Sequence, residues 1–143
     1  MYEKYTSQSL PEKDYRELLG SAICVFNSNN NFIIENIVKG DKNNQYIWHD
    51  LIDLSSGDLE KAIKEIITQK TGNTKIGKLF GKLCEIRNRI VHSFQITNEE
   101  GEQILASKNK EGIQYRITKE YLLNFIKLNE KLSLELYKYR DKK

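Results

Sequence analysis

A helical pattern of apolar and charged residues lies near the middle of the chain, where residues 74–92 read TKIGKLFGKLCEIRNRIVH. Drawn on a helical wheel at about 100° per residue, its apolar side chains fall in one broad arc: Ile76, Leu79, Phe80, Leu83, Ile86, Ile90 and Val91. Charged side chains fall toward the opposite side: Lys75, Lys78, Lys82, Glu85 and Arg89. This pattern predicts an amphipathic helix with one face packed against a core.

Arg87 breaks the pattern, because it lies near the centre of the apolar arc. A guanidinium can stay there only if it reaches an anion, a cavity or the edge of the bundle. One interpretation is a structural arginine that extends to the surface or pairs with a carboxylate of another helix. The other is a functional cation, which is favoured by His92, five residues later, where the helix is predicted to end.

A second stripe beside the arc contains Gly77, Gly81, Asn88 and His92. Glycine in a helix interior costs about 1 kcal/mol, so the two glycines need a compensating contact. Small residues four apart let another backbone come close, and the stripe is therefore predicted to be a dimer interface across a two-fold axis. The alternative is a helix crossing within one chain. In a dimer, two His92 and two Arg87 side chains would face one shared cleft.

A first helix is expected to begin at Pro11, where proline fits the first turn. It should end at residues 39–41, Lys-Gly-Asp, with a bend or break at the asparagines 29–31. Residues 55–58, Ser-Ser-Gly-Asp, supply capping oxygens for a second helix that stops before Gly72.

Thr118 caps the last helix. Before it, residues 103–106 and 113–117 flank a loop rich in turn formers, which predicts a small β-hairpin. Periodicity does not assign residues 41–54. The expected fold is all-α: one domain, residues 1–143, forming a bundle of four to five helices with a β-hairpin inserted before the last.

Composition narrows the classes of protein that fit the chain but does not identify one. The chain has 143 residues and a net charge of +3, which is too mild to indicate or exclude nucleic acid. No apolar run approaches the ~20 residues of a membrane span, and the N-terminus lacks a signal-peptide pattern. We therefore expect a soluble, cytoplasmic protein. Cys24 and Cys84 lack zinc-site spacing and are predicted to be buried, reduced thiols, with neither metal nor cofactor.

The segment Arg87-Asn88-Arg89-Ile90-Val91-His92 resembles the Arg-x4–6-His motif of the HEPN superfamily, including the polar residue directly after the arginine. The resemblance extends to a helical bundle with the motif at the end of its third long helix. It implies a metal-independent ribonuclease that acts as a homodimer in toxin, phage-defence or abortive-infection systems. Arg87, Asn88 and His92 would be its catalytic residues, and an antitoxin or regulatory partner protein would fit such a role.

The implied chemistry suits these residue types. Attack of a ribose 2′-OH on the adjacent phosphate needs a proton acceptor, a proton donor and stabilisation of a doubly charged phosphorane. Histidine suits proton transfer near neutral pH, and the arginine fork binds phosphate oxygens. Since one subunit supplies a single motif histidine, a dimer would provide both acid and base.

Two residues outside the motif affect what the resemblance implies. Some family members carry a tyrosine two residues after the histidine, where this chain has Phe94, so regulation by nucleotidylation of that tyrosine is not expected. His49, in the aromatic-rich residues 46–50, could assist, but packing is the favoured interpretation.

Two other function classes stay open at this stage. One is a non-catalytic HEPN-like domain that binds a nucleotide or RNA. The other is a helical protein-interaction module in which Arg87 makes a buried ion pair and His92 is exposed. An Arg87 bond to an Asp or Glu, without an open cleft, would favour the interaction module.

Overall fold

In the computed structural model, which describes residues 2–141, long helices pack around a common core and a small sheet precedes the last helix. The helices are α1 (Lys13–Gly40), α2 (Trp48–Ile52), α3 (Ser56–Ile63), α4 (Gln69–Thr71), α5 (Lys75–Val91) and α6 (Lys119–Asp141). A π-helical segment, Lys64–Thr68, joins α3 to α4, and a 3-10 helix spans Tyr2–Tyr5. The expectation of a mainly helical fold is confirmed.

The predicted helix ends are supported by specific hydrogen bonds. The Ser55 hydroxyl accepts from the backbone N–H of Asp58 at 3.2 Å, which caps α3. The Thr118 hydroxyl accepts from the N–H of Tyr121 at 3.0 Å and caps α6. Gly72, with φ of 70°, ends the α3–α4 segment in the left-handed conformation that glycine favours.

A break of the first helix at residues 29–31, one of the two predicted outcomes, is wrong, because α1 runs unbroken from Lys13 to Gly40. Asn29 is buried, and its Nδ2 donates to the backbone O of Asn129 at 2.9 Å and to its Oδ1 at 3.0 Å. Its own Oδ1 accepts from the Ser133 hydroxyl at 2.7 Å. The asparagine therefore joins α1 to α6 instead of interrupting α1.

The sheet has three strands where a two-stranded hairpin was expected. The predicted hairpin corresponds to β2 (Gln103–Lys108) and β3 (Gln114–Ile117), and β1 (Phe94–Thr97) pairs antiparallel with β2, so the order is β1-β2-β3. The Tyr15 hydroxyl accepts from the N–H of Leu105 at 3.0 Å and donates to the O of Ile117, which holds the sheet on α1. Because β1 begins two residues after His92, the end of α5 is fixed at the edge of the sheet.

One cluster of buried side chains includes residues of α1, α2, α3, α5, β3 and α6. The short α2 lies within the unassigned stretch and contributes buried Leu51. Two burial predictions are wrong. Val91 is 55% exposed because it lies at the last turn of α5. Cys24 is exposed because it is two residues, about 200°, from buried Ala22 and Phe26 on α1.

Cys84 is buried, as expected. Within residues 2–141, no helix is long and apolar enough to cross a membrane.

Candidate functional site at the end of α5

An open groove runs between α3 and α5. One end has a volume of about 700 Å³ and is lined by residues that include Ser56, Cys84 and Asn88. The other end, about 520 Å³, is lined in part by Lys61 and Lys64, and both ends share Glu60, Gly77 and Lys78. The groove thus connects the glycine stripe to the residue that follows Arg87.

Arg87 is half-buried and makes three contacts within residues 2–141, two of them with Ser56 and Asn88, which line the groove. Its Nη2 donates to the Ser56 hydroxyl at 2.8 Å, and its Nε donates to Asn88 Oδ1 at 3.0 Å. Its Cζ lies 4.9 Å from the centroid of the Phe26 ring, in cation-π range. The arginine lies in the apolar arc as predicted, and it is held by a hydroxyl, an amide and a ring.

No carboxylate within residues 2–141 forms an ion pair with Arg87; the salt bridges there join other residues. A guanidinium has five N–H donors, and only two of those of Arg87 are used in hydrogen bonds of this part of the chain. The remaining donors and the full positive charge are available to an external anion.

Asn88 lies between Arg87 and His92 around the axis of α5. At about 100° per residue, Arg87 and His92 point about 140° apart around α5, whereas Asn88 and His92 lie about 40° apart. Arg87 Nε donates to Asn88 Oδ1 at 3.0 Å, while its Nη2 reaches Ser56 on α3. The structure therefore places Arg87 and Asn88 in direct contact, with His92 on the face of Asn88.

His92 caps the C-terminal end of α5, and its backbone N–H donates to the carbonyl of Asn88 at 2.9 Å. Its side chain is exposed, and its imidazole has no hydrogen-bond partner among residues 2–141. Exposed Val91 and Phe94 flank it, at 55% and 39% exposure. A substrate can therefore reach the imidazole directly.

The two glycines of the stripe face α3. A Cβ at Gly77 would lie 3.7 Å from the Ile63 side chain, an ordinary contact. A Cβ at Gly81 would lie 2.6 Å from Oε1 of Glu60, the flexible end of that side chain. The glycines therefore allow α3 to approach within the chain and also leave the groove open toward solvent.

Sequence patterns did not identify Ser56 as part of the site. Its hydroxyl binds Arg87 and lies within hydrogen-bond reach of Cys84. Burial raises the pKa of the Cys84 thiol, the Ser56 hydrogen bond and the Arg87 charge oppose that shift, and Glu60 adds to it. The only signal was the pair of serines at the start of α3, which indicated a helix cap and nothing more.

His49 lies on α2, is exposed, and stands edge-on to the Trp48 ring at 5.4 Å between centroids. Within residues 2–141, no hydrogen bond, ion pair or ring contact joins it to Arg87. Residues 2–141 contain no cluster of three or more His, Cys, Asp or Glu side chains arranged to hold a metal ion.

Comparison with known proteins does not identify a relative: no family model, no curated protein and no solved structure matches the chain.

Proposed function

We propose that the chain is a HEPN-type endoribonuclease that cleaves RNA by attack of a ribose 2′-OH on the adjacent phosphate, without a metal ion. The observation that carries the proposal is the half-buried Arg87 guanidinium, which lacks a carboxylate partner within residues 2–141 and precedes an exposed histidine, His92, by five residues at the end of the same helix. A role in toxin, phage-defence or abortive-infection systems rests on the family resemblance alone.

In this mechanism Arg87 binds the non-bridging oxygens of the phosphate and stabilises the charge that develops there. His92 transfers protons, as base toward the 2′-OH or as acid toward the leaving 5′-oxygen. Asn88 orients the guanidinium through the bond to Nε. RNA is then the required substrate, because DNA has no 2′-OH.

A homodimer supplies the second proton-transfer group. The groove walls carry both Lys78 and Lys82 and the acidic Glu60 and Glu85. Across a two-fold axis a patch meets its own copy, so a patch of mixed charge can be complementary to itself. We propose that the Gly77/Gly81/Asn88/His92 surface pairs with a second copy and brings two His92 side chains to one cleft.

The interaction-module alternative is less well supported, because it needs Arg87 in a buried ion pair and no open cleft. Arg87 binds Ser56 and Asn88 instead, beside an open groove. A non-catalytic domain that binds nucleotide or RNA would share these contacts, and turnover distinguishes it.

The test is digestion of single-stranded RNA by the purified protein in EDTA, with end-group analysis of the products. We expect 2′,3′-cyclic phosphate ends, and RNA with a 2′-deoxy sugar at the cut site should be inert. Arg87→Ala and His92→Ala should each lower the rate by about 10²–10³ or more, since transition-state charge stabilisation or proton transfer is lost.

Matched controls come from the same chain. His49→Ala removes the other of its two histidines. Arg140→Ala removes an arginine whose guanidinium also lies on a ring, 4.7 Å from the Tyr137 centroid. Both should cleave at the wild-type rate. Undiminished cleavage by His92→Ala, or activity that requires added magnesium, would contradict the mechanism.

A further inference from the structure

Two adjacent serines begin the α3 segment and make different contacts. The Ser55 hydroxyl accepts from the N–H of Asp58 at 3.2 Å and donates to its Oδ2 at 3.0 Å, so Ser55 serves the helix cap. The Ser56 hydroxyl accepts from Nη2 of Arg87, 31 residues further along the chain. Ser56 therefore has no part in the cap and connects α3 to the guanidinium on α5.

The Ser56 hydroxyl has a single proton and two lone pairs. One lone pair accepts from Arg87 Nη2 at 2.8 Å, which an alanine at this position could not do. Ser56 lines the open groove together with Cys84, three residues before Arg87 on α5.

The three contacts of Arg87 restrain different parts of the guanidinium. Asn88 holds Nε, next to the aliphatic stem, and the Phe26 ring supports one face. Among residues 2–141, Ser56 alone holds an outer nitrogen. Without it, the outer end of the fork is free to swing, and recognition of phosphate by a fork depends on the direction of its N–H groups.

We infer that Ser56 is a positioning residue, which fixes the outer end of the Arg87 fork so that the remaining N–H groups point at the phosphate of a bound RNA. This inference rests on the proposed function. Ser56 acts through Arg87 and does not itself contact the reacting atoms.

The kinetic test compares the two serines. Ser56→Ala should lower kcat by about 10- to 100-fold, the loss typical of a misplaced catalytic group, while KM changes less than about twofold and Tm stays the same. Ser56→Thr keeps the hydroxyl and should restore kcat. Ser55→Ala should do the reverse, lowering Tm by about 2–8 °C through the lost cap and leaving kcat unchanged.

A second measurement does not depend on cleavage. In the wild-type protein the Nη signals of Arg87, assigned by their loss in Arg87→Lys, should show slow rotation about the Nε–Cζ bond by NMR. In Ser56→Ala they should average, whereas Ser55→Ala should leave them unchanged.

Wild-type kcat in Ser56→Ala, or Arg87 signals unaffected by that substitution, would overturn the inference. A wild-type protein that cleaves no RNA, but whose Arg87 signals average in Ser56→Ala, would reject the proposed function and uphold the role of Ser56 in holding the guanidinium.

Discussion

Two polar clusters join helices in this molecule, and they differ in how completely their hydrogen-bonding groups are used. The asparagine cluster, Asn29, Asn129 and Ser133, lies between α1 and α6, where both asparagines are at most 4% exposed. The arginine cluster, Ser56, Arg87 and Asn88, lies between α3 and α5 at the open groove.

The asparagine cluster is closed. Asn29 uses its amide on Asn129 and its carbonyl on Ser133, and Asn129 Nδ2 donates to the O of Phe125 at 3.0 Å. No fully buried side-chain nitrogen or oxygen in residues 2–141 lacks a partner. In the arginine cluster, the N–H groups of Arg87 that make no hydrogen bond within residues 2–141 are not fully buried and can be hydrated by solvent. A closed cluster specifies how two helices pack, and an open one can receive a ligand.

The largest stability effect should come from breaking the closed cluster. Asn29→Ala leaves the buried Oδ1 of Asn129 without a partner, while Ser133 keeps its bond to the backbone O of Asn129, and we expect a loss of about 2–3 kcal/mol in the free energy of unfolding. Arg87→Ala should change it by less than about 1 kcal/mol, because the lost cation-π contact is offset by removing a partly desolvated cation. Urea unfolding measures both.

Asn27→Ala is the matched control, since Asn27 is exposed on the same helix. It should lie within about 0.5 kcal/mol of wild type, as surface substitutions usually do. If Asn29→Ala and Asn27→Ala unfold at the same urea concentration, the closed cluster does not specify the packing of α1 on α6.

The same contrast explains which parts of the fold could be predicted from sequence. Helical periodicity located the core faces of α1, α3, α5 and α6, because burial of an apolar stripe is a local property of the sequence. The asparagines 29–31 were misread as a break, since the partner that satisfies Asn29 lies 100 residues away on α6. β1 was missed because its four residues alternate too briefly to give a strand pattern.

The residues of the candidate site were likewise predictable only where the signal is local in sequence. Arg87 was found because a cation in an apolar arc is visible on a helical wheel, and His92 because it follows at the helix end. Ser56 was missed, because its partner is set by the packing of α3 against α5 and one serine beside another carries no sign of it. Exposure of Cys24 could have been read from its position opposite Phe26.

A smaller effect is expected at the proposed dimer surface. Gly81→Leu would place side-chain atoms against the end of Glu60, which can swing away, so the single chain should still fold. The leucine would fill the groove, weaken dimerisation at least tenfold, about 1.4 kcal/mol, and lower cleavage at micromolar protein. Sedimentation should show the mass fall from twice 16.8 kDa to that of one chain.

Gly20→Leu provides the control, because nothing lies within 4 Å of a Cβ added at Gly20. This variant should remain dimeric and active. A wild-type protein that sediments as a monomer at micromolar concentration would remove the composite site from the proposal.

The smallest effect on stability concerns the buried Cys84, which lies beside the arginine cluster. Burial raises the pKa of its thiol, and Ser56 and Arg87 only partly oppose this. Above about pH 8.5, where an unfolded thiol titrates, the folded state therefore binds more protons than the unfolded state. Stability should fall as pH rises through this window, by at most about 1.4 kcal/mol per unit, the limit for one proton.

Urea unfolding between pH 8 and 9.5, under reducing conditions and in a Cys24→Ser background, isolates this contribution. Buried tyrosines such as Tyr15, whose pKa values are also raised, affect stability only at higher pH. Cys84→Ala should abolish the slope. Arg87→Ala should steepen it, because removing the nearby cation raises the pKa of the thiol further. An equal slope with and without Arg87 would show that the guanidinium charge does not lower the pKa of the Cys84 thiol.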